Sequence, residues 1–186
     1  MVSLGALWLP IVLSAVLVFV LSSIIHMVLR YHNADYTRLP NEDAVREAIR
    51  SGNPAPKQYI IPYCASPKEM ESPEMKRKFA EGPIGVLNLK PTGSYGMGAN
   101  LVQWFLFTLL VSLLVAYVAS HALPPGVPYL EVFRIVGAVA FLAYAAGQLP
   151  AAIWMGKPWP VAIKEVFDGL VYGLATAGVF GWLWPR

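Results

Sequence analysis

The sequence predicts an all-α membrane protein: a four-transmembrane-helix bundle with a small α/β cytoplasmic insertion between helices one and two. Three observations carry this reading. Hydrophobic residues make up 56% of the 186-residue chain and charged residues only 13%, where soluble domains carry roughly 25% charge. The charge is missing in blocks, since residues 1–29, 91–130, 135–156 and 169–185 hold no Asp, Glu, Lys or Arg. Aromatic residues also gather near the ends of these blocks, as they do at lipid–water boundaries. A soluble domain of this length would need charge on most of its surface helices.

The first span covers residues 7–29. Trp8 lies at its start, and Pro10 is tolerated because the first helical turn has free amide positions. No Lys or Arg precedes the segment, and no Ala-x-Ala site follows it, so a retained anchor is expected rather than a cleaved signal peptide. The second span, 101–122, opens with Trp104, Phe105 and Phe107 and closes at the Pro124-Pro125-Gly126 turn. The third runs over 132–154, with Pro150 expected to loosen its last turn. The fourth, 161–184, ends in Trp182 and Trp184, placed for the headgroup boundary. Each is long enough for a hydrocarbon core that takes roughly 20 helical residues.

Between spans one and two, residues 30–99 hold ten of the fourteen basic residues and eight acids. Asn41 is expected to cap a helix over 42–49, while Ser66 and Ser72 each precede a Pro and open capping sequences. Gly82 marks the stop of the second of these. Residues 59–61 and 86–89 are short apolar runs suited to pairing as strands. The glycine-rich stretch 93–98 lacks the lysine of a phosphate loop and reads as a pliable junction. Arg30 and Lys157 flank apolar spans, and the 123–130 turn has no Lys or Arg. The positive-inside rule thus puts the insertion in the cytoplasm and both termini outside it, in a bacterial inner membrane.

Packing and polarity supply the candidate sites. Gly169, Gly173, Ala177 and Gly181 recur every four residues, and Gly137, Ala140, Ala143 and Gly147 form a weaker strip in span three. Such strips let helix backbones approach closely. The intramembrane polar residues are His26, Arg30, Arg134, Gln148 and Asp168, and burying any of them unpaired is expensive. Asp168 lies roughly 10 Å past a helix start near Val161, by helical rise. His26 or Arg30 is its expected partner, with Lys164 competing from one turn earlier. Arg134 belongs near the opposite end, turned outward or against Glu131 or His121. Gln148 is read as a helix–helix hydrogen-bonding residue.

Little sequence chemistry rises to an active site. Cys64 is the only cysteine, which excludes an internal disulfide and a four-cysteine zinc site. It has no nearby histidine to activate it. Three histidines are too few to assign a metal, although His26, His32 and Asp35 share one boundary where a small zinc or copper site could form. No metal, cofactor or catalytic residue is expected, only bound lipid. The +3 charge is not gathered into a basic stripe, so nucleic acid is not an expected partner. The expected function is a non-catalytic structural or regulatory subunit of an inner-membrane complex. It would contact other membrane subunits or its own copies through its spans, and a cytoplasmic protein through residues 40–90. The alternative is a small oligomeric ion or solute transporter or channel using Asp168 near its cytoplasmic mouth.

Overall fold

The computed structural model describes residues 2–94 and 96–186; Tyr95, within the glycine-rich junction, lies outside the described residues. The chain is 71% helical, with four helices long and apolar enough to cross a membrane and one two-stranded sheet. It divides into two compact units. The larger holds the four long helices except the last two residues of the third, and the smaller holds residues 37–94 and 153–156.

The long helices are α1 (Leu4–Leu29), α5 (Met97–Ala122), α6 (Tyr129–Trp154) and α7 (Trp159–Leu183). Each starts two to four residues before its sequence-predicted boundary, because the flanking residues can still complete a helical turn. Leu7, Val18, Val115, Val132, Val136 and Phe180 are fully buried among them. Many outward Leu, Val and Ile residues are exposed, the surface that lipid would cover.

α6 and α7 pack antiparallel through small residues. A Cβ added to Gly169 would lie 2.8–2.9 Å from Ala145, and one on Gly173 would lie 3.1 Å from the Phe141 amide nitrogen. The same construction at Gly137 meets Ala177 at 3.3 Å, and at Gly181 it meets the Tyr129 ring at 2.6 Å. The facing strip on α6 is therefore Gly137, Phe141 and Ala145. Ala143 and Gly147, expected in that strip, are exposed instead, and nothing lies within 4 Å of a Cβ built on Gly147. The helical repeat turns 143 and 147 off the seam that 137, 141 and 145 define.

α1 and α5 are joined differently, by hydroxyl groups. Ser14 and Ser112, both buried, pair at 3.1 Å, and Thr108 Oγ1 lies 3.4 Å from the Ala15 carbonyl. One to two turns further on, the Trp104 indole N–H donates to Ser22 Oγ at 2.7 Å. Ser14, Ser22 and Thr108 also return hydrogen bonds to carbonyls of their own helices, so none of these three hydroxyls is left unpaired in an apolar setting.

The helix ends have specific causes. Pro150 cannot donate to the Ala146 carbonyl one turn earlier, and α6 tightens to a 3₁₀ turn over Ala146–Gln148. At the opposite end, Gly126 takes a left-handed conformation and donates to the Pro185 carbonyl at 2.9 Å. Trp184 is buried and its indole donates to Pro124, so of the two terminal tryptophans only Trp182 faces outward, as the headgroup placement expects.

The smaller unit begins with α2 (Glu42–Ser51). Asn41 precedes it without making the expected side-chain cap. β1 (Gln58–Ile61) and β2 (Gly85–Asn88) pair antiparallel, with Ile60 opposite Val86. Between them lie α3 (Pro67–Met70), capped by Ser66, and α4 (Pro73–Glu81), capped by Ser72. Glu69 accepts from the Ala65 amide rather than from Ser66, so the capping box closes one residue early. Gly82 ends α4 with a positive φ of 65° that favours glycine. Met75 is the one fully buried apolar residue among the described residues of this unit.

Candidate functional site

The site is built where α1 stops being an α-helix. Its last six residues, Ile24–Leu29, form π-type turns, and Arg30 then adopts a left-handed backbone at φ 54°. Such conformations are uncommon outside glycine and concentrate at functional sites. They reverse the chain so that the 3₁₀ turn Tyr31–Asp35 returns against α7.

Asp168 is the centre of the resulting cluster. Its side chain is only 5% exposed. Tyr31 donates its hydroxyl to Asp168 Oδ1, and His32 Nε2 lies 2.8 Å from Oδ2. His26 Nε2 stands 4.0 Å from the same oxygen. The other nitrogen of each histidine is fixed: His32 Nδ1 meets Asp35 at 2.8 Å, and His26 Nδ1 meets the Ser22 carbonyl at 3.0 Å. The two rings stack 4.7 Å apart with planes 7° from parallel.

The lysines attend to other acids. Lys164 donates to Asp35 and to the Tyr31 carbonyl, and Lys157 donates to Glu165 and reaches Gln148 at 3.5 Å. The Lys164 ammonium, with help from His32, holds the Asp35 carboxyl below the usual carboxylate range despite some opposing desolvation. Among the described residues, Asp168 has no Lys or Arg partner.

A cavity of about 560 Å³ adjoins the cluster. His26, Asp168, Glu165 and Gln148 supply its polar lining, while Trp104, Phe107, Tyr144 and Tyr172 supply aromatic walls. Tyr144 and Tyr172 cross edge-to-face at 5.6 Å. Both are nearly fully buried; the Tyr144 hydroxyl has Ser112 as its neighbour, and that of Tyr172 has no hydrogen-bond partner among the described residues. Ala143 and Gly147, displaced from the α6–α7 seam, line this cavity instead.

Sequence reasoning placed Asp168 and His26 at one end and Arg134 at the other. Arg134 is exposed, and no ion pair with Glu131 or His121 occurs among the described residues; His121 binds the Tyr117 carbonyl. Arg30 is not the partner of Asp168, because its side chain folds back onto the Met27 carbonyl at 3.3 Å. Lys164 is drawn to Asp35 rather than to Asp168. Gln148 meets Lys157 and the cavity rather than a facing helix. Tyr31 was missed as a neighbour of Asp168, while His32 and Asp35 were grouped with His26 at one boundary but not brought to Asp168. The aromatic walls were missed as well, since Trp104, Tyr144 and Tyr172 converge from three helices.

The class these features define is the multi-pass helical membrane protein. Comparison with protein-family models, curated proteins and solved structures finds no match.

Proposed function

We propose that this chain is a small membrane protein that binds an amphipathic, ring-bearing molecule with acceptor oxygens, a quinone-like compound, in the cavity beside Asp168. The carrying observation is a cavity of about 560 Å³ that joins an aromatic wall, Trp104 and Phe107, to the polar groups of His26, Gln148 and Asp168. A carbonyl oxygen on a planar ring would accept from the Gln148 carboxamide N–H while the ring stacks on aromatic faces. Apolar cavities of several hundred Å³ with few convergent polar groups are the usual form of small-molecule sites. Solute handling beside Asp168 therefore fits better than a purely structural role, since α6 already fills the α7 strip that argued for partner helices. The site lies toward the cytoplasmic side in this reading, in a bacterial inner membrane.

The test is equilibrium binding of radiolabelled decylubiquinone to purified protein in nanodiscs. One saturable site per chain is expected, weakened at least about tenfold by Ala143→Trp, which fills the cavity without entering the α6–α7 seam. Non-saturable partitioning that ignores Ala143→Trp sinks the proposal.

A second reading, an accessory subunit, has its own support. The smaller unit leaves Ile60, Ile61, Tyr63, Met70 and Ile84 largely exposed around a one-residue core, and exposed apolar groups of this kind suit a protein contact. Cross-linking from this unit in native membranes to one stoichiometric partner would favour it.

A further inference from the structure

The geometry points to a metal site: His26 Nε2, His32 Nε2 and an Asp168 carboxylate oxygen together bind one first-row divalent transition-metal ion, with zinc as the reference ion. The three ligand atoms lie within 4.8 Å of one another. Two atoms that each sit about 2.0–2.1 Å from a zinc ion lie roughly 3–3.5 Å apart in tetrahedral geometry. The observed separations from Asp168 Oδ2 are 2.8 Å for His32 and 4.0 Å for His26, so each needs a shift of under about 1 Å to reach that spacing.

The second layer of contacts prepares the histidines for this role. Metal-binding histidines usually give their other ring N–H to a carboxylate or a backbone carbonyl, which fixes tautomer and orientation. Both acceptors are present: Asp35 at 2.8 Å from His32 Nδ1, and the Ser22 carbonyl at 3.0 Å from His26 Nδ1. With Nδ1 acting as donor in each ring, both Nε2 lone pairs are left toward Asp168. His32 Nε2 and Asp168 Oδ2 would then be two acceptors at 2.8 Å, an arrangement that a proton or a metal ion between them resolves. No lysine or arginine supplies a cation there instead, because Lys164 is engaged by Asp35 and Lys157 by Glu165.

The stacked rings decide which ligand moves. Lone pairs in parallel rings do not converge, so one imidazole must turn to share an ion. His32 is 11% exposed and tied through Nδ1 to the buried Asp35 carboxylate, whereas His26 is 50% exposed and tied through Nδ1 to a backbone carbonyl. His26 is the ring that turns. Three protein ligands leave a fourth position, as in zinc sites that hold water or substrate. His26 and Asp168 both line the cavity, so that position can face a molecule bound there.

The test uses full-length protein without a polyhistidine tag, stripped with chelator and titrated with Zn²⁺ and Co²⁺ with no organic ligand present. One tightly held ion per chain is expected, with the visible absorption of nitrogen- and oxygen-ligated Co²⁺. His32→Ala and Asp168→Asn should each weaken binding at least about 100-fold. Asp35→Asn, acting only through His32, should weaken it about 10- to 100-fold. His26→Ala alters a half-exposed ligand and keeps the test valid should an Asp168 variant fail to fold. His121→Ala, at the other end of the helices, should change nothing. Metal below about 0.1 ion per chain, or affinity indifferent to His26→Ala and His32→Ala, overturns the site. Because no decylubiquinone is used, that result leaves the cavity proposal standing, and loss of decylubiquinone binding leaves the metal site standing.

Discussion

The α6–α7 pair and the α1–α5 pair solve the same problem with different chemistry. Helices in lipid gain little from burying apolar surface against each other, so they need close van der Waals contact or polar contacts. α6 and α7 use the first: Gly169 leaves no room for a Cβ against Ala145, and Gly173 leaves only a tight fit against the Phe141 backbone. α1 and α5 use the second, through Ser14–Ser112, Thr108–Ala15 and Trp104–Ser22. The difference teaches that a steric seam is unforgiving at each position, while a hydroxyl ladder spreads its stabilisation over several modest contacts.

The most damaging way to break this contrast is a large residue at the seam. Gly169→Leu should prevent α6 and α7 from closing, and Gly169→Ala alone should destabilise the bundle by about 1–3 kcal/mol, the usual range for overpacking. Reversible unfolding in mild detergent measures it, and an unchanged midpoint for Gly169→Leu would refute the seam. Trp104→Phe comes next. It removes the donor to Ser22 while keeping an aromatic ring, and should lose up to about 1.7 kcal/mol, the upper range for intramembrane hydrogen bonds. Ser112→Ala should lose about 0.6 kcal/mol, the average for such bonds. If Ser112→Ala proves as damaging as Gly169→Ala, the two interfaces do not differ as described.

The smallest effect lies in the other unit. Lys78 holds the exposed Glu74 carboxyl below its ordinary value through a 2.7 Å contact. A lowered carboxylate contributes above its unfolded value, near 4.5, and loses that contribution as pH falls through the lowered one. Lys78→Ala should return Glu74 to ordinary titration by NMR, with barely measurable change in stability at neutral pH.

Legibility follows the same division. The four spans, the strand pair and the α7 glycine strip are local patterns of charge, period and side-chain size, and they stand in the sequence. The α6 face was misread because Gly137, Ala140, Ala143 and Gly147 mix two helical faces, and small size alone does not tell a seam from a cavity wall. The hydroxyl ladder passed unnoticed because single serines in apolar helices usually bond to their own backbone. At the site, Asp168 and His26 were legible as polar groups at one depth. His32 and Asp35 were legible beside His26, but the closing of Tyr31 and His32 onto Asp168 was not, since it depends on the π-type turns and the left-handed Arg30.

What the sequence determined by itself is where the chain is apolar for long enough to cross a bilayer, and which stretches carry charge. That follows from composition over some twenty residues at a time, a quantity no neighbour can alter. Which polar group meets which was decided only by tertiary structure. Three partners for Asp168 were available on paper, and two were claimed by nearer acceptors or carbonyls before reaching it: Lys164 by Asp35, and Arg30 by Met27. Hydrogen bonds act over about 3 Å, so a single reversed turn decides the outcome.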